Sequence, residues 1–208
     1  ITLSLLLLYE NKSYIMLAAA PPLILYGYWL YTQRNEYLKH ITIAVLLCLV
    51  LVIAGNYTGG SLNIPAAIAA KQHDFLKLGR EMNAGSLITN TPIGTDWQSM
   101  LLHIPEAIFT VFTSPPFFVK PNLFSVFASF ENVIILLCVV VVLSTSLIHT
   151  IASPLILFSI LFTLILYALI GLSSPVAGAM VRYKSIALPF LLGACVLAFK
   201  PKTKKPAQ

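Results

Sequence analysis

Charge is what this chain has least of. Lys, Arg, Asp and Glu together make up 10% of its 208 residues, against about 25% in an ordinary soluble domain. Hydrophobic residues make up 58%, and the mean hydropathy is +0.88. A soluble reading therefore fails, and near-continuous runs of Leu, Ile and Val weigh further against it. Cysteine is almost missing too. Cys48, Cys138 and Cys195 are odd in number, far apart and set inside apolar runs. They match no metal-ligand spacing and read as buried apolar residues. The histidines, His40, His73, His103 and His149, are dispersed, so no metal site and no cofactor is expected. Walker A, GxSxG, HExxH and CxxC patterns are all absent, which removes the chemistries they carry. The apolar runs also lack the charges that mark ion pathways, which weighs against a pump or ion-coupled transporter.

What the chain does have is a series of apolar segments. Ile1–Leu8 covers only about 12 Å as a helix. It has no basic n-region and no small-residue cleavage site. It reads as the end of a longer span, which makes the chain the C-terminal part of a larger protein. Tyr14–Tyr31 follows, with Pro21-Pro22 expected to kink or break it. Ile41–Gly55, Val133–Ile148, Pro154–Leu172 and Ile186–Phe199 complete the set. The expected architecture is an all-α, polytopic helical membrane protein. Residues 1–55 hold the first transmembrane helices, the first of them truncated. Residues 56–132 form one long outer loop, residues 133–199 three more spans, and residues 200–208 a basic tail.

The net charge of +6 would point to nucleic acid in a soluble protein. Here much of it lies in Lys200, Lys202, Lys204 and Lys205. Beside a span, that cluster is a topology signal and a contact for anionic lipid, at about 1 kcal/mol per residue. Membrane lipids are therefore the expected partner, and nucleic acid is not. The positive-inside rule places the C-terminus in the cytoplasm. Counting back, Thr32–His40, with Arg34 and Lys39, is inside as the rule prefers, and Asn56–Asn132 is outside, as is Glu10-Asn11-Lys12.

The outer loop carries two helix signatures. Asn63-Ile64-Pro65 is a helix start, with Asn as cap and Pro in the first turn. Ala66–Met82 then sets Ile68, Phe75, Leu76, Gly79 and Met82 near one face, with Lys71, Gln72, Asp74, Lys77, Arg80 and Glu81 around the rest. Asn83–Gly94 reads as loop. Asp96 can cap a second helix, Trp97–Thr113, bent near Pro105. Interruption by His103, Pro105 and Glu106 leaves no clean span, so both helices are expected to lie in the membrane interface as a cap on the bilayer.

Candidate binding residues follow from charge beside apolar segments. Arg182-Tyr183-Lys184 sits in a short hinge before the last run. Arg offers a planar fork for phosphate and Lys a point charge. The alternative is an interfacial anchor, with Tyr183 in an aromatic belt. Arg80 belongs to a basic helix face with Lys71, His73 and Lys77, either solvated or turned to an acidic glycan or phosphate. Glu106 and Glu131 flank apolar segments. Glu131 opens the Val133–Ile148 run, where a carboxylate favours a helix N-terminus. Either carboxylate could also serve as a base toward a sugar hydroxyl.

Taken in order, Ile104-Pro105-Glu106-Ala107-Ile108-Phe109, a Pro-Phe pair, Ser129-Phe130-Glu131-Asn132, and Gly178 through Arg182-Tyr183-Lys184 to Leu188-Pro189-Phe190 form a set. Over Ala66 to Phe199 this set resembles the C-terminal half of multi-spanning proteins from bacterial envelope-polysaccharide loci, of O-antigen-polymerase-like or glycosyltransferase-like type. Ser114-Pro115-Pro116 stands where those proteins carry Arg-Pro-Phe. The resemblance implies an inner-membrane component of cell-surface polysaccharide assembly. It would handle polyprenyl-linked sugars at the outer face, as a polymerase or glycosyltransferase. A non-catalytic transporter subunit or scaffold is the reading from a different class.

Overall fold

The most apolar run of the chain becomes the axis of the fold. It is α5 (Pro154–Ser173), entered through Pro154 in the first turn, the one place where a missing N–H costs nothing. At 20 residues it is about 30 Å long, the thickness of a bilayer core. It buries residues on several faces, among them Ile156, Phe162, Leu166, Tyr167 and Ile170. Its Ser and Thr hydroxyls are satisfied within the helix. Ser159 Oγ donates to Leu155 O and Thr163 Oγ1 to Ser159 O, each at 2.8 Å, so neither requires a polar neighbour.

The structure is a computed structural model that describes residues 2–32, 42–43, 46, 63–83, 87–88, 91–115, 123–151 and 153–198. Around α5 stand α1 (Thr2–Thr32), α2 (Ile64–Glu81), α3 (Trp97–Thr113), α4 (Leu123–Ile151), α6 (Ala177–Lys184) and α7 (Leu188–Ala198). Among the described residues the secondary structure is helical, apart from a single antiparallel bridge between Leu87 and Val176. Among the described residues two stretches, Tyr14–Tyr31 and Pro154–Ser173, are long and apolar enough to cross a membrane. The pair α6 and α7, bent by 53°, makes a third if it counts as one broken span. The expected run Ile41–Gly55, apart from Thr42, Ile43 and Leu46, lies outside the described residues, as do the link from Gln33 to His40 and the basic tail.

Helix α1 departs from expectation. It runs without interruption from Thr2, through Glu10-Asn11-Lys12 and through Pro21-Pro22. Each proline forfeits an intrahelical hydrogen bond. Packing offsets the loss: Ile15, Ala18, Pro22, Leu25 and Trp29 are all buried, at alternating spacings of three and four that form one stripe. Ile15 and Ala18 join Phe162, Leu166, Tyr167 and Ile170 of α5, Val111 of α3 and Met180 of α6 in the main core.

Local capping places α2 and α3 where the sequence puts them. Asn63 Oδ1 accepts from Ala66 N at 3.2 Å, and Asp96 Oδ2 accepts from Ser99 N at 2.8 Å. Asp96→Ala should cost about 1 kcal/mol, the usual worth of an N-cap, read as a lower thermal midpoint; an unchanged midpoint would remove the cap from the account. One assignment on α2 is reversed. Gln72 is buried and Met82 is 73% exposed. The Gln72 amide clamps the following loop, donating to Thr91 O at 3.3 Å and accepting from Ile93 N at 3.0 Å. Two backbone hydrogen bonds for one side chain make a polar residue worth burying.

Helix α3 crosses α5 closely. A Cβ on Gly171 would lie 2.3 Å from Ala107 O, so only glycine permits this approach. Helix α4 begins at Leu123, ten residues before the expected span. It buries Ala128, Ser129, Asn132 and Ile135 and exposes Phe127, Phe130, Ile134 and Leu137. That outward apolar stripe is of the kind that faces lipid or a partner.

Candidate functional site

An apolar groove of about 590 Å³ opens between α1, α2 and α5, within the usual range of about 300–1,000 Å³ for ligand sites. Helix α2 supplies one wall from Ile64, Ala67, Ile68, Lys71 and Phe75, at i, i+3, i+4, i+7 and i+11, which is one helical stripe. Helix α1 supplies Tyr14, Leu17 and Ala20, and the last turns of α5 supply Leu169, Ile170 and Ser173. Tyr183 of α6 completes the lining.

The two tyrosines of this groove are neighbours. The Tyr14 and Tyr183 rings meet at 5.7 Å between centroids, tilted by 59°. The Tyr14 hydroxyl is buried and has no hydrogen-bond partner. A buried hydroxyl left in this way costs free energy until something pairs with it. The Arg182 guanidinium carbon stands 5.7 Å from the Tyr183 ring centre, and its charge reaches Tyr14. Arg182 itself is exposed, as is Lys71 on the facing wall. The arrangement is a greasy trough with two cations and an unpaired hydroxyl beside it. It suits an amphiphile with an apolar tail and an anionic head.

Lys184 lies elsewhere. It is 1% exposed, and its ammonium donates to Asn132 Oδ1 of α4 and, at 3.4 Å, to Ser114 O at the end of α3. Asn132 Nδ2 donates to the same Ser114 O at 2.7 Å, and Ser129 Oγ donates to Pro115 O at 2.6 Å. The reason is helical phase. The expected hinge is the last turn of α6, and residues two apart on a helix point about 200° apart. Arg182 and Lys184 therefore face opposite sides.

The remaining candidates are spread out. Glu131 is exposed on α4, where its charge acts on Lys184 and Tyr167. Because α4 starts at Leu123, Glu131 is more than two turns inside it, beyond the reach of the helix dipole. Its expected role at a helix start is thus replaced by a place beside the Lys184 cluster. Glu106 is exposed on α3 and accepts from Thr91 Oγ1 at 3.1 and 3.3 Å. His103, one turn earlier, holds Ser99 O at 2.7 Å through Nδ1. Arg80 is exposed near the end of α2, and the groove lining does not include it. The structure thus brings Arg182 and Tyr183 together beside Tyr14, with Lys71 lining the same groove as the two tyrosines, and leaves Glu106 and Arg80 outside that group. Tyr14 was not legible as a site residue, since it opens an apolar run with no motif around it; Asn132 stood in the Ser129-Phe130-Glu131-Asn132 stretch without a role of its own.

Comparison with protein-family models, with curated proteins and with solved structures gives no match.

Proposed function

We propose that this chain is an integral membrane component of cell-surface polysaccharide assembly, handling a polyprenyl-linked sugar at the outer face of the bacterial inner membrane. The observation that supports this reading is the groove. Its length of apolar wall accepts an isoprenoid chain. Arg182 offers the forked donor set that fits phosphate oxygens, and Lys71 adds a point charge. The apolar helices that flank the groove keep such a chain within the bilayer. The resemblance of the motif order to proteins of envelope-polysaccharide loci points the same way.

Ala67 is exposed and lines the groove from α2, so a larger side chain there fills the trough without entering the core. Purified protein should photolabel with a benzophenone-bearing polyprenyl phosphate, and Ala67→Trp should cut that labelling about tenfold, the effect of about 1.4 kcal/mol. Equal labelling of the two proteins would sink the reading.

A further inference from the structure

The buried end of Lys184 has a consequence for the groove. An ammonium withdrawn from water is costly unless fully hydrogen-bonded. Here both of its acceptors are neutral oxygens, Asn132 Oδ1 and Ser114 O. They belong to two different helical segments, α4 and the C-cap of α3. Asn132 is fixed in turn by its own bond to Ser114 O at 2.7 Å. Helix α6 is only eight residues long, too short to hold its own rotation by backbone bonds alone. Its other buried side chains are Ala177 and Met180, neither of which sets a hydrogen-bonded register.

We propose that Lys184 is a positioning residue: its ammonium, fastened to Asn132 and Ser114, sets the rotation of α6 and thereby holds Arg182 and Tyr183 against Tyr14 at the groove. Lys184 does not touch the ligand. It acts through the phase of one helical turn, since locking position 184 inward turns position 182 outward. The alternative is that Lys184 meets the anionic head directly, and the two make opposite forecasts for Asn132→Asp. A carboxylate at 132 gives up the amide's bond to Ser114 O but keeps the link to the Lys184 ammonium and turns it into an ion pair. It also neutralises the cation, which would spoil a direct phosphate contact.

The inference rests on the lipid-binding reading for its functional meaning, and its test has an arm that does not. With Cys48, Cys138 and Cys195 replaced by Ala, a Tyr14→Cys and Tyr183→Cys pair should be bridged by dibromobimane, which fluoresces when it links two nearby thiols. Lys184→Met should reduce the bridged yield about fivefold, matching about 1 kcal/mol of lost coupling, and Asn132→Asp should preserve it. Unchanged bridging in Lys184→Met overturns the proposal whether or not any lipid binds.

The second arm uses a short-chain polyprenyl phosphate and detergent-solubilised full chain, with the tyrosines intact. Lys184→Met should weaken binding about tenfold. In an Arg182→Ala background the same change should have an effect under about twofold, because the residue through which it acts is gone. Asn132→Asp should bind as the parent does. A tenfold loss in Asn132→Asp, or an equal loss from Lys184→Met with and without Arg182, would overturn positioning in favour of direct contact. If bridging falls as expected and the parent protein binds no polyprenyl phosphate, the lipid reading fails while the tether stands.

Discussion

Gly171→Ala is expected to lose at least about 2 kcal/mol of stability, in the range of forced overpacking, and to show it as a drop in thermal midpoint and in folded yield. In an exposed helix interior the same change is stabilising by up to about 1 kcal/mol, because alanine loses less backbone entropy. The local environment reverses the sign. The new Cβ would lie 2.3 Å from Ala107 O and 2.7 Å from Ala107 C. Those are backbone atoms of α3, which no rotamer change can move aside. Helices α3 and α5 would have to separate, opening the contacts of Ala107 and Leu172 in the second core cluster. Gly193→Ala in α7 is the matched control, because a Cβ there meets nothing within 4 Å. It should be neutral or mildly stabilising. If both substitutions behaved alike, the close crossing of α3 and α5 would be refuted.

The second large effect is functional. On the proposed role in polysaccharide assembly, Arg182→Lys is expected to abolish most surface-polysaccharide production in the native host while the protein accumulates at its normal level. Arg182 is exposed and contributes no core packing, so stability should be untouched. Lysine keeps the charge and the reach. It loses the planar fork that grips two phosphate oxygens at once, and it stacks less well on Tyr183. An interfacial anchor would tolerate the exchange, since a snorkelling cation is all that role requires. Wild-type production from Arg182→Lys would leave the anchor reading in place and remove the phosphate contact from the account.

Helices α2 and α3 were legible because their signals are local. A cap acts on the N–H groups within its own first turn, so Asn63 and Asp96 announce α2 and α3 from a few residues of sequence. The long apolar runs were legible for the same reason, and α5 coincides with one of them almost residue for residue. The ends of α4 and α1 were harder. Residues 123–132 mix Ser, Asn and Glu with Phe and Val, and the contacts that fix Ser129 and Asn132 run to the carbonyls of Pro115 and Ser114, 14 and 18 residues away. In α1, Pro21-Pro22 is a breaker by every local rule, and burial of both rings against the rest of the fold overrides it.

The sequence by itself determined that the described residues are built mainly of helices on long apolar runs, with two capped helices in the chain's largest polar stretch. Each of those facts depends on composition, period or capping, which involve neighbours along the chain. Only the tertiary structure decided what Arg182, Tyr183 and Lys184 do. Three consecutive residues read as one basic cluster on the page. Wound into α6, they diverge by about 100° per residue. Arg182 stays in solvent, Tyr183 leans on Tyr14, and Lys184 goes inward to Asn132. Which of them turns inward depends on where α3 and α4 put a carbonyl and an amide oxygen. Those partners lie 70 and 52 residues away, at a distance along the chain that no local pattern can encode.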